Sequence, residues 1–175
     1  MIQVLKAAKS LNLPDWWIGA GFVRSKVWDV LHEYTARTPL TDIDVIYFDK
    51  TDFSAKQAGA ESTSQEKIYE EKLRKLMPNI NWSVTNQARM HLFHNTKPYQ
   101  SSKKALGDWV ETATCVGVKI DDKNKLILTA PHGIDDLVNL ILRPTTYTEK
   151  NLKEFKKRIE EKEWLIKWPK LKVAK

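Results

Sequence analysis

Apolar positions along this chain recur in two periods, and the switches between them outline alternating helices and strands. Val4, Leu5, Ala8 and Leu11 share one helical face until Pro14 and Asp15 interrupt it. Trp16, Trp17 and Ile18 then read as a first strand. Over residues 22–34, Val23, Val27, Val30 and Leu31 form the side of a helix suited to packing on a sheet. Thr38-Pro39 marks a loop before a second strand over 43–48. Residues 52–65 are polar and rich in Ser, Ala and Gly, the composition of a mobile surface loop. A helix over 66–76 turns Ile68, Leu73 and Leu76 inward and ends at Pro78. A strand near 80–84, a short helix over 86–93 and another around 102–109 follow. Residues 115–120 and 125–129 pair as a hairpin closed by Asp121-Asp122-Lys123-Asn124. Short helical residues 134–140 and a charged helix over 149–164 complete the chain, which contains no repeat. The alternation predicts an α/β (α+β) fold, a mixed and partly antiparallel sheet flanked by helices.

Composition narrows the class without naming a chemistry. The chain has 175 residues, enough for one domain with an ordinary core, and its 42% hydrophobic content is that of a globular protein. A single cysteine, Cys115, excludes an internal disulfide, and its strand-like setting suits a buried thiol. No apolar run is long enough to span a bilayer, and the first residues do not resemble a secretory signal, so a cytoplasmic protein is expected. The net charge is +7, but residues 149–175 hold ten Lys or Arg against five Glu, a net of +5. The expected division is therefore a domain over 1–147 and a basic helix and tail over 148–175. Such a tail can engage phosphates, although a solvated surface helix is the plainer reading. The near-neutral body argues against a dedicated nucleic-acid-binding domain.

The chemistry concentrates between residues 18 and 48. Gly19 and Gly21 flank a turn that opens a helix, where free N–H groups and the helix dipole favour an anion. Asp42 and Asp44 alternate with Ile43 along a strand and so share a face. Two carboxylates so placed can hold Mg²⁺ or Mn²⁺ against substrate phosphates. The plainer alternatives are an ordinary tight turn and an acidic strand start facing water.

Together, Gly19-Ala20-Gly21-Phe22-Val23-Arg24 and Asp42-Ile43-Asp44 resemble the nucleotidyltransferase superfamily of DNA polymerase beta, CCA-adding enzymes and poly(A) polymerases. Trp82–His91, Trp109–Thr114 and Gly133–Leu137 are similar to a branch of small bacterial nucleotidyltransferase-like proteins. The resemblance implies a nucleoside triphosphate as substrate and Asp42 and Asp44 as catalytic metal ligands. It implies phosphate contacts from Gly19, Gly21 and Arg24, with Lys26 a further candidate. Ser25 departs from the acidic residue that CCA-adding enzymes carry after that arginine, which weakens any transfer of their tRNA chemistry. The superfamily's third carboxylate should lie on the strand near residues 80–86, which has no Asp or Glu; of Glu111, Asp135 and Asp136, Glu111 is the expected substitute. Asn86 and Arg89 are expected to contact the nucleotide, while His91 and His94 lack the further ligands a zinc site needs. Two functions follow: NMP transfer to an unidentified RNA, protein or small-molecule acceptor, or nucleotide binding without catalysis.

Overall fold

Short β-branched and aromatic runs form a five-stranded sheet in the computed structural model, which describes residues 1–52, 64–94 and 96–174. Its strands are β1 (Trp17–Gly19), β2 (Ile43–Tyr47), β3 (Trp82–Asn86), β4 (Gly117–Ile120) and β5 (Leu126–Thr129), in the order β3-β2-β1-β4-β5. Within this sheet, among the described residues, β2 and β3 are the parallel pair. A parallel pair needs a crossover, and α3 (Ser64–Leu76) lies in that connection. The other pairings are antiparallel, as the mixed sheet read from the sequence requires.

Alternation along the strands divides the sheet into two unlike faces. Ile18, Ile43, Val45, Trp82, Val84 and Val118 point into the main core, where α1 (Ile2–Lys9) contributes Leu5 and Ala8. From α2 (Gly21–Leu31), Phe22 and Trp28 enter the same core. The opposite face holds a small cluster of Trp17, Ile46 and Leu106, with Trp109 packed at its edge. Leu106 belongs to α5 (Ser102–Gly107), which follows α4 (His91–His94). That second face is covered only in part, and the carboxylate-bearing strand end belongs to it.

The last residues do not stand apart from the domain. After α6 (Asp135–Val138) and β6 (Ile141–Leu142), the helix α7 (Glu149–Glu161) leads into α8 (Trp164–Lys167) and β7 (Lys172–Val173). β7 pairs with β6, and Phe155, Trp164, Trp168 and Leu171 are buried in the main core. Two indoles meet Trp28 edge to face, with centroids 5.7 Å and 5.1 Å away for Trp164 and Trp168. The boundary drawn at residue 148 from charge alone therefore crosses a shared core. Lys150, Lys153, Lys156 and Lys157 form the exposed side of α7, while Phe155 and Arg158 face the domain. Of the loop expected over 52–65, residues 53–63 lie outside the described residues. Among the described residues, no helix is long and apolar enough to cross a membrane.

Candidate nucleotide-binding site

A cleft of about 410 Å³ opens at the junction of β1, α2, β2 and the C-terminal segment. Its base is the turn from β1 into α2. Ala20 takes φ 39° with ψ −110°, a positive-φ backbone that costs a residue with a Cβ about 1 kcal/mol or more. The backbone over-determines it: Ala20 donates to the Val116 carbonyl (2.8 Å) while its own carbonyl accepts from Val23 and Arg24. Among the described residues no side chain caps α2, so the N–H groups of Gly21 and Phe22 remain at the start of an 11-residue helix beside the cleft. Gly21 lines the cleft, and a Cβ there would meet nothing nearer than 3.6 Å. Gly19 has a different use. A Cβ on it would come within 2.9 Å of the Trp109 ring, so its bareness seats that indole.

Asp42 and Asp44 both line the cleft, on the shared face that strand alternation requires. β3 runs in register with β2 and sets Ser83 opposite Asp44. Burial first, and then the neighbouring Asp42, push the Asp44 carboxyl up to about 6, against the opposing pull of Ser83, Arg24 and Lys162. Two half-buried carboxylates in such mutual repulsion are the donor set that a divalent cation relieves. Asp42 also accepts a hydrogen bond from the Thr41 hydroxyl (2.9 Å). Among the described residues no third Asp, Glu, His or Cys joins them in a metal-binding group.

Arg24 faces this pair from the first turn of α2 and is 8% exposed. Its guanidinium lies over Trp164 (4.6 Å) and Trp28 (5.0 Å), and its buried Nε has no hydrogen-bond partner among the described residues. Desolvation lowers its pKa to about 10, with Glu111 and the two aspartates opposing, so it stays charged at neutral pH. A buried guanidinium with an unused donor is primed for an anion. The C-terminal segment adds three cations to the lining. Arg158 is tied to Glu111 (2.7 Å), Lys167 to Glu163 (3.1 Å), and Lys162 stands without an ion pair among the described residues. Glu163 turns α7 into α8 through a left-handed residue, φ 52°, which brings Lys162, Trp164 and Lys167 to one wall. The sequence signal for this wall was the basic C-terminal stretch, but nothing local said that it returns to the cleft.

The other expected site residues lie elsewhere or are engaged. Asn86 ends β3 at Tyr47's level, at the far end of the sheet from Asp44. Its side chain caps the following turn through Ala88 N–H and exchanges hydrogen bonds with the Asp49 backbone. Arg89 is held by the fully buried Glu66 at 2.7 Å, and Glu66 also accepts from the Asn86 N–H. Both residues are thus structural members of a buried network, and neither lines the cleft. Lys26 is exposed and outside the lining as well. Glu111 is fully buried, with its carboxylate taken by Arg158 and the Thr114 hydroxyl; it sits behind the cleft wall. Cys115 is fully buried, and burial pushes its thiol up to about 12, which fits an inert structural role.

A helix start flanked by glycines, two strand carboxylates and a buried arginine thus line one cleft of an α/β domain. The comparison with known families makes that specific: residues 6–173 match a nucleotidyltransferase family, and the chain belongs to it. A structure solved by NMR and described as a CCA-adding enzyme head domain is 32% identical, with a TM-score of 0.81 over 98% of this chain and 87% of that one. A CCA-adding enzyme in complex with CTP superposes with a TM-score of 0.58 at 15% identity, over 99% of this chain and 39% of that one. The Bacillus stearothermophilus CCA-adding enzyme in complex with CTP gives 0.53 at 14% identity, over 99% and 40%. At that identity the likeness is one of fold, and this chain spans about two fifths of those two enzymes. No curated protein sequence matches the chain.

Proposed function

We propose that the protein transfers an NMP from a nucleoside triphosphate to an acceptor hydroxyl, using Mg²⁺ or Mn²⁺ held by Asp42 and Asp44. The observation that carries this reading is the shared cleft of those carboxylates, Arg24 and the uncapped start of α2. Asp42 and Asp44 fit a divalent cation because they line one cleft on one strand face, and burial and the neighbouring Asp42 already disfavour the ionised form of Asp44. The bound cation supplies charge neutralisation at the α-phosphate and at the departing pyrophosphate. Arg24 and the N–H groups of Gly21 and Phe22 bind the phosphates, and Lys162 adds a cation from the opposite wall. The acceptor oxygen bonds to the α-phosphorus, the α–β bridging bond breaks, pyrophosphate leaves, and the hydroxyl proton passes to water. Glu111 acts here by holding Arg158 against the wall rather than by meeting the cation. RNA, protein and small-molecule hydroxyls are the acceptor classes to test. A role in the cytoplasm of a bacterium suits this reading.

Ser83 opposite Asp44 favours a second reading, a nucleotide-binding module without turnover, since a serine stands where the superfamily's third carboxylate would help. Incubation with labelled NTP, Mg²⁺ and each acceptor class separates the two. Label transfer with pyrophosphate release, lost in Asp42→Asn, is the expected result. Saturable NTP binding with no pyrophosphate under any acceptor would establish the module instead.

A further inference from the structure

The cleft holds one aromatic surface that the chemistry above leaves unused. Trp164 and Trp168 line it but are 2% and 3% exposed, and Trp164 is already covered by the Arg24 guanidinium. Trp168 spends its N–H on Asp29 (2.9 Å). Trp109 is only half-buried and is the aromatic face still open in the lining.

The main chain that carries this indole is anchored from the neighbouring segment, and the ring itself rests on β1. Thr145 donates its hydroxyl to the Trp109 carbonyl (2.7 Å), and its N–H to the Val110 carbonyl (2.9 Å). Glu111 next door forms a bridge with Pro144 and an ion pair with Arg158. The ring lies on β1 where Gly19 provides no Cβ, at 2.9 Å and 3.3 Å from where one would be. β1 and β2 pair Trp17 with Ile46 and Ile18 with Val45, and the same register carries Gly19 opposite Asp44. Trp109 therefore rests on the strand beside the catalytic carboxylates, on their face of the sheet. A rigid, half-open indole adjoining a phosphate-binding turn is a stacking platform, because every base has a π-face and pre-positioning removes the entropic cost.

We propose that Trp109 stacks the nucleobase of the incoming nucleoside triphosphate, and that Gly19 exists to seat it. The proposal rests on the transferase reading above but fails separately from it. Base stacking contributes about five- to 150-fold in affinity by the usual alanine-substitution range.

The test measures binding of inorganic triphosphate, ATP and CTP with Mg²⁺ to the wild type, Trp109→Leu and Trp109→Phe, each checked for an intact NMR fingerprint. Leucine keeps apolar bulk on Gly19 without a π-face; phenylalanine restores one. The wild type should bind ATP at least about ten-fold more tightly than inorganic triphosphate. Trp109→Leu should lose that advantage while binding inorganic triphosphate within about two-fold of wild type, and Trp109→Phe should recover most of it. A 2-aminopurine nucleoside triphosphate should be quenched by the wild type and not by the leucine variant. That arm separates the incoming base from an acceptor's base. If Trp109→Leu weakens ATP and inorganic triphosphate equally, or neither, the platform is refuted while the phosphate site stands. If inorganic triphosphate and ATP both fail to bind the wild type, the transferase reading falls and the platform with it.

Discussion

Arg24 and Arg89 are both buried, 8% and 6% exposed, yet the protein treats them in opposite ways. Arg89 meets Glu66 through two nitrogens, at 3.1 Å and 2.7 Å, and Glu66 is fully enclosed. That charge is neutralised within the fold. Arg24 has aromatic rings above it, an Nε with no hydrogen-bond partner and no ion pair among the described residues, and shares its cleft with Asp42 and Asp44. Burying a guanidinium without a directly bonded carboxylate costs stability that the ring contacts and the charge of Glu111 offset only in part. The difference teaches where to look: a saturated buried charge serves the fold, and an unsaturated one facing a cleft awaits a ligand.

The largest effect expected from breaking this contrast is at the carboxylates that complete the Arg24 site. Asp42→Asn should lower nucleotidyl transfer by at least about 100-fold with the fold intact, as followed by pyrophosphate release and NMR fingerprint. Next come the arginines themselves. Arg89→Met takes the guanidinium from the fully buried Glu66 and should cost about 3–5 kcal/mol by urea unfolding, with little change in nucleotide affinity for the folded protein. Arg24→Met should do the reverse, weakening triphosphate binding by about ten-fold or more at little or no loss of stability. If Arg24→Met unfolds the protein while Arg89→Met only weakens binding, the contrast is inverted and the site is misplaced.

Asp44 gives a smaller, pH-resolved effect. Its folded pKa of about 6 lies above its ordinary 3.8, so ionising it disfavours the fold. The stability it contributes is present below about pH 4 and is lost as pH rises through about 6. Asp44→Asn should therefore be more stable than wild type at pH 7.5 by roughly 1–3 kcal/mol, after allowance for solvent, and equal to it near pH 4. Mg²⁺ should narrow the gap at pH 7.5 by stabilising the wild type alone. The smallest effect should be at Lys162. Lys162→Ala should weaken NTP binding only about two- to five-fold, because this exposed cation is screened by salt.

The path from sequence to site was clear where signals were local. The strand-turn-helix-strand run over residues 17–47 announced itself through periodicity, and the hairpin of β4 and β5 through its Asp-Asp-Lys-Asn turn. Asp42 and Asp44 share a face because any strand would place them so. What stayed hidden depended on distance. Glu66 and Arg89 are 23 residues apart, and nothing local distinguishes a paired arginine from a ligand-binding one. β6 and β7 are two residues each and pair across some thirty residues, too short to show a period. Gly19 and Gly21 looked like equal members of a turn. Yet the positive-φ residue is Ala20, and Gly19 makes room for an indole 90 residues away. Glu111 resembled a missing catalytic carboxylate because burial beside Arg158 leaves no mark in sequence.

The most direct test of the central claim is an NMR titration of the labelled protein with NTP, with and without Mg²⁺, repeated on Asp42→Asn/Asp44→Asn. The account predicts Mg²⁺-dependent shifts centred on residues 19–24, 42–44 and 109, with Asn86 and Arg89 unmoved, and their loss in the double variant. Shifts centred on Asn86 and Arg89, or none at millimolar NTP, would contradict it.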